Sequence, residues 1–439
     1  MTERSFAPRI TMHTVFYAAW FVFLSSIFIR NVFDIRFNII IVLALACLPA
    51  IVGDRNEIIA LAISLIPMTA AFQYKYALLF IMAVYIVKYF RDLKYMNGFL
   101  LLMVMFAWEL LHGFMYDFSL LNSIRGFAEL IFCAFLMSLS IGEFKYEKIL
   151  RMLVISTTVA GTIVLLNLLT ENNFDLTAIF AGGYRFGKGD ITVTEYGMNY
   201  NANDLGMIFN AAICSVFYLI KLKRARLVDY IMFSALLFYG IFTQSRAFII
   251  CFAFIMFLFI ISYGNLKSKF KLSFTIIFIV AIAVSLFNMM LPDVLSNFIS
   301  RFGEEDISNG RMDLFKLYGN LILSNLTCFI FGIGMQNISS KAHNLNNEII
   351  ASPHNGTQEI IVAWGIIGLV LMIAFVATMV HRSKMLNKKL RLAGFIMLLF
   401  ILLHVQSSQF ITAEKSLLVF AFSYICLFID SGKEEVSYE

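Results

Sequence analysis

Three side chains have the types and settings needed to handle an anionic substrate and a hydroxyl. His354 lies in Ser352-Pro353-His354-Asn355, directly ahead of the apolar stretch 357–380. Ser352 is a good N-cap and Pro353 suits the first helical position, which puts His354 in the first turn. The positive end of the helix dipole disfavours the imidazolium there, so the ring is neutral near pH 7 and can take a proton from a hydroxyl. A polar residue satisfying a helix end explains the same stretch more plainly. Arg246 sits at a hairpin tip, Thr243-Gln244-Ser245-Arg246, between two very apolar runs. With Ser245 as N-cap, a cation stands at the positive end of a dipole, which is unfavourable unless an anion joins it. The alternative is an arginine snorkelling to lipid headgroups. Arg311 repeats the arrangement after Ser308-Asn309-Gly310, with Asp313 nearby as a local ion-pair partner. Guanidinium forks and helix N-termini both bind phosphate oxygens, so two such arginines on one side of a membrane would suit a diphosphate.

Other polar residues need a reason to lie near membrane depth. Arg125 and Glu129 are spaced i, i+4, with Glu109, His112 and Asp117 at the end of the preceding apolar run. An internal ion pair is the plainer account; a polar vestibule for sugars is the sharper one. Tyr184, Arg185 and Lys188 lie between glycines in a loop and could touch substrate. Asn201 and Asn203 open the next helix, where capping alone could account for them. Asn355, Gln358, His404 and the run Gln406 to Gln409 are further candidates for lining the same cavity.

The elements that position these residues are membrane helices. The chain is 60% hydrophobic and only 14% charged, with a mean hydropathy of +0.83, which excludes an ordinary soluble protein. Apolar runs able to cross a core of about 30 Å number fourteen, and twelve if the short early ones merge. They lie near 14–29, 37–53, 57–74, 76–90, 98–116, 124–141, 150–169, 203–220, 227–244, 247–264, 272–291, 357–380, 392–411 and 415–430. The expected fold is therefore all-α: a polytopic integral membrane protein of 12–14 helices forming one domain over 1–439. Two longer polar segments interrupt it, a smaller loop at 170–202 and a larger one at 291–356. Most of the 34 Lys+Arg fall on one side if both termini are cytoplasmic, including Lys221/Lys223/Arg224/Arg226 and Arg382/Lys384/Lys388/Lys389/Arg391. Both long loops then face outward. Within the larger one, Asp313 to Gly334 has the content of a single amphipathic helix lying on the membrane, ended by Gly332 and Gly334. The first apolar run has no small-residue cleavage site and is expected to stay as a membrane helix. The six cysteines form neither a disulfide framework nor a C-x-x-C metal pattern, and no acidic D-x-D cluster stands in an outer loop. Nothing points to nucleic acid.

In order along the chain stand Asn201-Ala202-Asn203-Asp204, Thr243-Gln244-Ser245-Arg246-Ala247-Phe248, Asn309-Gly310-Arg311, Ser352-Pro353-His354-Asn355 and Trp364-Gly365-Ile366-Ile367-Gly368-Leu369. This ordered set resembles the O-antigen polymerase and O-antigen ligase superfamily, bacterial inner-membrane glycosyltransferases of the GT-C type. The resemblance covers about 199–380; before that the chain matches only as a series of spans. It implies that Arg246 and Arg311 engage the diphosphate of an undecaprenyl-linked glycan and that His354 activates the acceptor hydroxyl. It further implies a periplasmic active site and a partner that regulates polysaccharide chain length. Gln358 departs from the pattern, since the position four after the histidine is often apolar, and Arg301 rivals Arg311 as the loop arginine.

Diphosphate is a good leaving group, so transfer without metal or cofactor is chemically sufficient. The expected function is polymerisation of lipid-linked repeat units, favoured by a Phe-rich chain (47 Phe) with Asn-bearing outer loops. Ligation of the same glycan to lipid A core is the alternative. A flippase for lipid-linked units is the reading of another class; it calls for internal repeats, broken helices and midplane charges.

Overall fold

The computed structural model describes residues 11–33, 38–68, 73–92, 98–115, 146–175, 201–262, 310–335, 338–349, 351–383 and 388–427, with a few single positions between them. The expected spans at 124–141 and 272–291 fall outside these, apart from isolated residues. Everything regular among the described residues is helical. In chain order the helices are α1 (Met12–Val32), α2 (Ile39–Val52), α3 (Arg55–Ser64), α4 (Gln73–Tyr89), α5 (Phe99–Met115), α6 (Tyr146–Glu171), α7 (Ala202–Lys221), α8 (Leu227–Phe242), α9 (Arg246–Ser262), α10 (Arg311–Ser324), α11 (Leu326–Phe331), α12 (Ile338–Leu345), α13 (Gly356–Ser383), α14 (Lys388–His404) and α15 (Glu414–Leu427). Four of them, α1, α6, α7 and α13, are long and apolar enough to cross a membrane, and six shorter helices are apolar too. The protein is an all-α, multi-pass membrane protein.

Helix α7 is the hub. It packs against α6, α8, α9, α14 and α15, and every residue from Leu205 to Leu219 is buried. Small residues permit this: a Cβ on Gly206 would come within 2.9 Å of Phe248 Cβ on α9, and Asn210 donates to the Phe248 carbonyl (3.1 Å). The start of α7 is thereby fixed beside the start of α9.

Charged groups collect at one end of the bundle. Lys148 meets Glu57 (3.3 Å), Arg151 bridges Glu147 (3.1 Å) and Asp229 (3.4 Å), and Arg224 meets Glu147 (3.3 Å). Lys88 donates to the carbonyl of Gly53 (2.8 Å). These residues lie at the α2–α3 and α7–α8 connections, near the end of α4 and at the start of α6. Arg246, Arg311 and His354 belong to the other end.

Two expected continuous helices are interrupted. The stretch from Asp313 to Gly334 is two helices, α10 and α11, because Asn325 leaves the helical region and accepts from Cys328 N (3.0 Å), capping a new helix. Helix α13 is broken at Gly365, whose φ of +70° and ψ of −171° are not helical. The chain after α11 enters the gap: Ile333 N and Gly334 N donate to the carbonyls of Val362 and Ala363 (2.8 Å each), and the Trp108 indole donates to the Trp364 carbonyl (3.1 Å). Each carbonyl that the break frees among these three residues is thus satisfied inside the protein, as the hydrocarbon region demands.

Candidate active site

The first cation is placed by two linked caps. Asn201 caps α7 through Asn203 N (2.9 Å), and Ser245 caps α9 through Phe248 N (3.3 Å). The Ser245 hydroxyl also donates to Asn203 Oδ1 (2.8 Å), which locks the two helix starts together. The tight turn is completed by Gln244 at φ +47°. Asn201 and Asn203 therefore act as cap and brace, and the residue they aim is half-buried Arg246, the first of α9.

The second cation opens α10. Gly310, at φ +74°, turns the chain so that Arg311 is the first helical residue. Asp313 is exposed and faces Lys316 (3.9 Å), whereas Arg311 Nη1 donates to the Ser407 carbonyl beyond α14 (2.8 Å). Burial and then the charge of Arg246 both disfavour the Arg311 cation, lowering its pKa from the usual guanidinium value. Two like charges, 65 positions apart in the sequence, are thus within electrostatic reach of each other. That arrangement favours an anion between them.

His354 is near the same charge but not for the reason the sequence suggested. Asn355, not Ser352, caps α13: its Oδ1 accepts from Gln358 N (3.0 Å) and its carbonyl from Glu359 N (2.8 Å). The helix begins at Gly356, so His354 precedes it instead of lying in the first turn. Asparagine caps as well as serine does, and the later cap prevails. The imidazole is nonetheless held below its ordinary pKa of 6.5, first by burial and second by the positive charge of Arg311. It is neutral at pH 7. Around it, Asn355 Nδ2 donates to the Gln406 carbonyl (2.9 Å) and Thr357 to Gln406 Oε1 (2.9 Å). Gln358 Nε2 donates to the Phe315 carbonyl (2.7 Å), tying α13 to α10.

Glu359 was not singled out by sequence, yet it organises this rim. It is fully buried. Its carboxylate accepts from the backbone N–H groups of Phe410, Ile411 (3.0 Å) and Thr412 (3.1 Å) and from the Thr412 hydroxyl. It therefore pins the α14–α15 loop, whose Gln406 and Ser407 carbonyls hold Asn355 and Arg311. Glu359→Ala would leave the buried N–H groups of Phe410 and Ile411 and the half-buried one of Thr412 without this partner, at about 1–3 kcal/mol for each buried donor. The expected result is a loss of about 3 kcal/mol or more, read as a lower unfolding temperature in detergent, with Glu359→Gln falling between it and wild type.

Glu109 and His112 serve the helix break. Glu109, 2% exposed, accepts from the Trp364 indole (2.7 Å) and from Met335 N (2.9 Å). His112 bonds the Phe331 carbonyl through Nε2 (2.7 Å). Arg125, Glu129, Arg185 and Arg301 lie outside the described residues. His404 is 1% exposed and packs with Nδ1 3.9 Å from Cys251 Sγ, so it sits within the helix packing. Its Nε2 has no hydrogen-bond partner. The one group of metal-ligand composition among the described residues, His13 with Asp54 and Glu57, is at the opposite end. There Glu57 already bonds His13 (2.7 Å), Lys148 and the Asp54 N–H (3.0 Å) in a capping box.

Residues 231–373 match the family model described as O-antigen ligase. That segment contains Arg246, Arg311 and His354. A comparison with curated proteins finds no match.

Proposed function

We propose that this chain, a multi-pass membrane protein that belongs through residues 231–373 to the O-antigen polymerase and ligase superfamily, is a metal-independent polymerase of undecaprenyl-diphosphate-linked repeat units. The reaction takes place at the periplasmic face of the bacterial inner membrane, with both termini in the cytoplasm. One observation carries the reading: the adjacent carbonyls of Gln406 and Ser407 hold Asn355, next to His354, and Arg311, with the charge of Arg246 acting on Arg311 and that of Arg311 on His354, which supports a diphosphate clamp beside a neutral base.

In this account Arg246 and Arg311 hold the diphosphate of the donor. An acceptor sugar hydroxyl attacks the anomeric carbon, and His354 takes its proton. The bond between that carbon and the diphosphate oxygen breaks, and undecaprenyl diphosphate leaves with the electron pair. The two guanidiniums stabilise the charge that develops on it. A chain-length regulator is the expected protein partner.

The pH dependence follows from the base. Only neutral His354 can accept the proton, so activity is lost as pH falls through its pKa. Because burial and Arg311 hold that pKa below 6.5, the acid limb of the rate profile is expected below pH 6.5, with a plateau above. His354→Ala should lower the rate by about 10²–10⁴-fold and remove that limb. An acid limb left in place by the substitution rules His354 out as the base. Transfer is also expected to survive EDTA.

The second enzyme reading is ligation to lipid A core, which the description of the matched family favours. The discontinuity of α13 is a feature that transporters share. Here, however, the freed carbonyls bind Ile333, Gly334 and Trp108 and not a cargo, which weighs against a flippase.

A further inference from the structure

Asn355, Thr357 and Gln406 form a strip of neutral polar side chains that begins one residue from His354. Gln406 is exposed, and Asn355 and Thr357 are half-buried. An exposed glutamine ordinarily has many rotamers open to it, yet this one is held at both ends of its amide. Nε2 donates to the Leu402 carbonyl (3.1 Å), and Oε1 accepts from the Thr357 hydroxyl (2.9 Å). The Gln406 main-chain carbonyl accepts from Asn355 Nδ2 (2.9 Å). Thr357 and Gln406 also line one end of a cavity of about 620 Å³ between α13 and α14. Apart from His381 at the opposite end, the other side chains lining it are apolar. Bonding within the strip does not exhaust it, because a side-chain amide carries two N–H donors and a hydroxyl oxygen two lone pairs. Gln406 Nε2 spends one N–H on Leu402, and Thr357 gives its proton to Gln406 and keeps its lone pairs. One fixed donor and one fixed acceptor are left on neighbouring side chains.

We propose that this strip is the subsite for the acceptor sugar, and that Thr357 and Gln406 read the hydroxyls beside the attacking one. The inference rests on the glycosyl-transfer reading above. In that reading the attacking hydroxyl must meet His354, so the sugar ring that carries it lies against the residues flanking the base. The donor's diphosphate belongs to the arginines, and the strip has no charge with which to compete for it. A sugar hydroxyl both donates and accepts, so an amide N–H beside a hydroxyl oxygen matches a pair of hydroxyls on one ring. Groups already fixed in place lose little freedom when the sugar binds.

The test separates the two substrates. The donor is the undecaprenyl-diphosphate repeat unit. The acceptor is the same repeat-unit glycan on a fluorescent alkyl aglycone, which has no diphosphate and cannot act as donor. In Thr357→Val and Gln406→Leu the apparent KM for the acceptor is expected to rise about tenfold, the scale of one well-placed hydrogen bond, while that for the donor stays within twofold. The acid limb set by His354 should not move, because the main chain of Gln406, and not its side chain, makes the shorter bond to Asn355. Equal changes for both substrates, a rise in donor KM alone, or no change in either variant would overturn the assignment. A second measurement omits the donor and follows binding of the fluorescent glycoside to the purified protein. Wild type is expected to bind it and Gln406→Leu to bind it about tenfold more weakly, with excess undecaprenyl diphosphate displacing it from neither. Displacement by undecaprenyl diphosphate would give the strip to the donor instead. If wild-type protein moves glycan to no acceptor, the enzymatic reading fails, and the binding comparison still decides whether the strip holds a sugar.

Discussion

Arg246→Ala and Arg311→Ala are each expected to reduce glycan transfer by at least about 100-fold, the scale set by removing one preorganised donor to a developing anion. Both proteins should reach the membrane at wild-type levels. Arg246 is half-buried at the rim, and its loss leaves intact the caps made by Ser245 and Asn201. Loss of Arg311 removes one bond to the Ser407 carbonyl, which costs about 1 kcal/mol and is small beside the effect on catalysis. Lysine at either position keeps the charge but not the planar fork, so the Lys variants should be intermediate. Transfer by purified variants, alongside their abundance in membranes, decides the matter. Full activity in both alanine variants would remove the diphosphate assignment.

The second large effect belongs to the helix break. Gly365→Val is expected to prevent accumulation of folded protein. The position has φ +70°, and a Cβ there would lie 2.0 Å from the Ile330 carbonyl oxygen. Backbone cannot yield as a flexible side chain can, so strain and overlap together should cost several kcal/mol, a large part of a typical total stability. The facing Gly332, at φ +82°, where a Cβ would lie 2.3 Å from the Ala363 carbonyl oxygen, should be equally intolerant. Gly319→Ala is the control: its Cβ would meet only Gln358 Nε2, at 3.8 Å, and membrane levels should not change. Accumulation of Gly365→Val at wild-type levels would mean that the two segments are not packed in this way.

Hydropathy and charge were enough to identify an all-α membrane protein, because a 3.6-residue period is not needed where helices are apolar on every side. That Arg246 and Arg311 open helices was also legible, since turn and capping residues precede each of them. Competition between equally good signals was not legible. Ser352 and Asn355 are both good caps, and only packing against Gln406 selects the latter. Asp313 to Gly334 read as a single helix, whereas Asn325 closes one and caps another. The break at Gly365 depends on Ile333 and Gly334, each 29 residues before its partner, supplying N–H groups to the carbonyls of Val362 and Ala363, and no local pattern announces that. Glu359 is an acid whose partners are mainly main-chain N–H groups, and Glu109 takes one such group beside the Trp364 indole; every sequence contains main-chain donors and none displays them. The neutral state of His354 was anticipated, but its cause is burial and Arg311 instead of a helix dipole.

The central claim is transfer of a glycan from a polyprenyl diphosphate by a clamp of two arginines and a histidine base. The most direct measurement gives the purified protein only undecaprenyl-diphosphate repeat units and separates the products on a gel. The account predicts a ladder of longer lipid-linked glycans, insensitive to EDTA and absent with His354→Ala. Transfer seen only after lipid A core is added would make the protein a ligase and keep the site. No glycan moving to either acceptor would contradict the account.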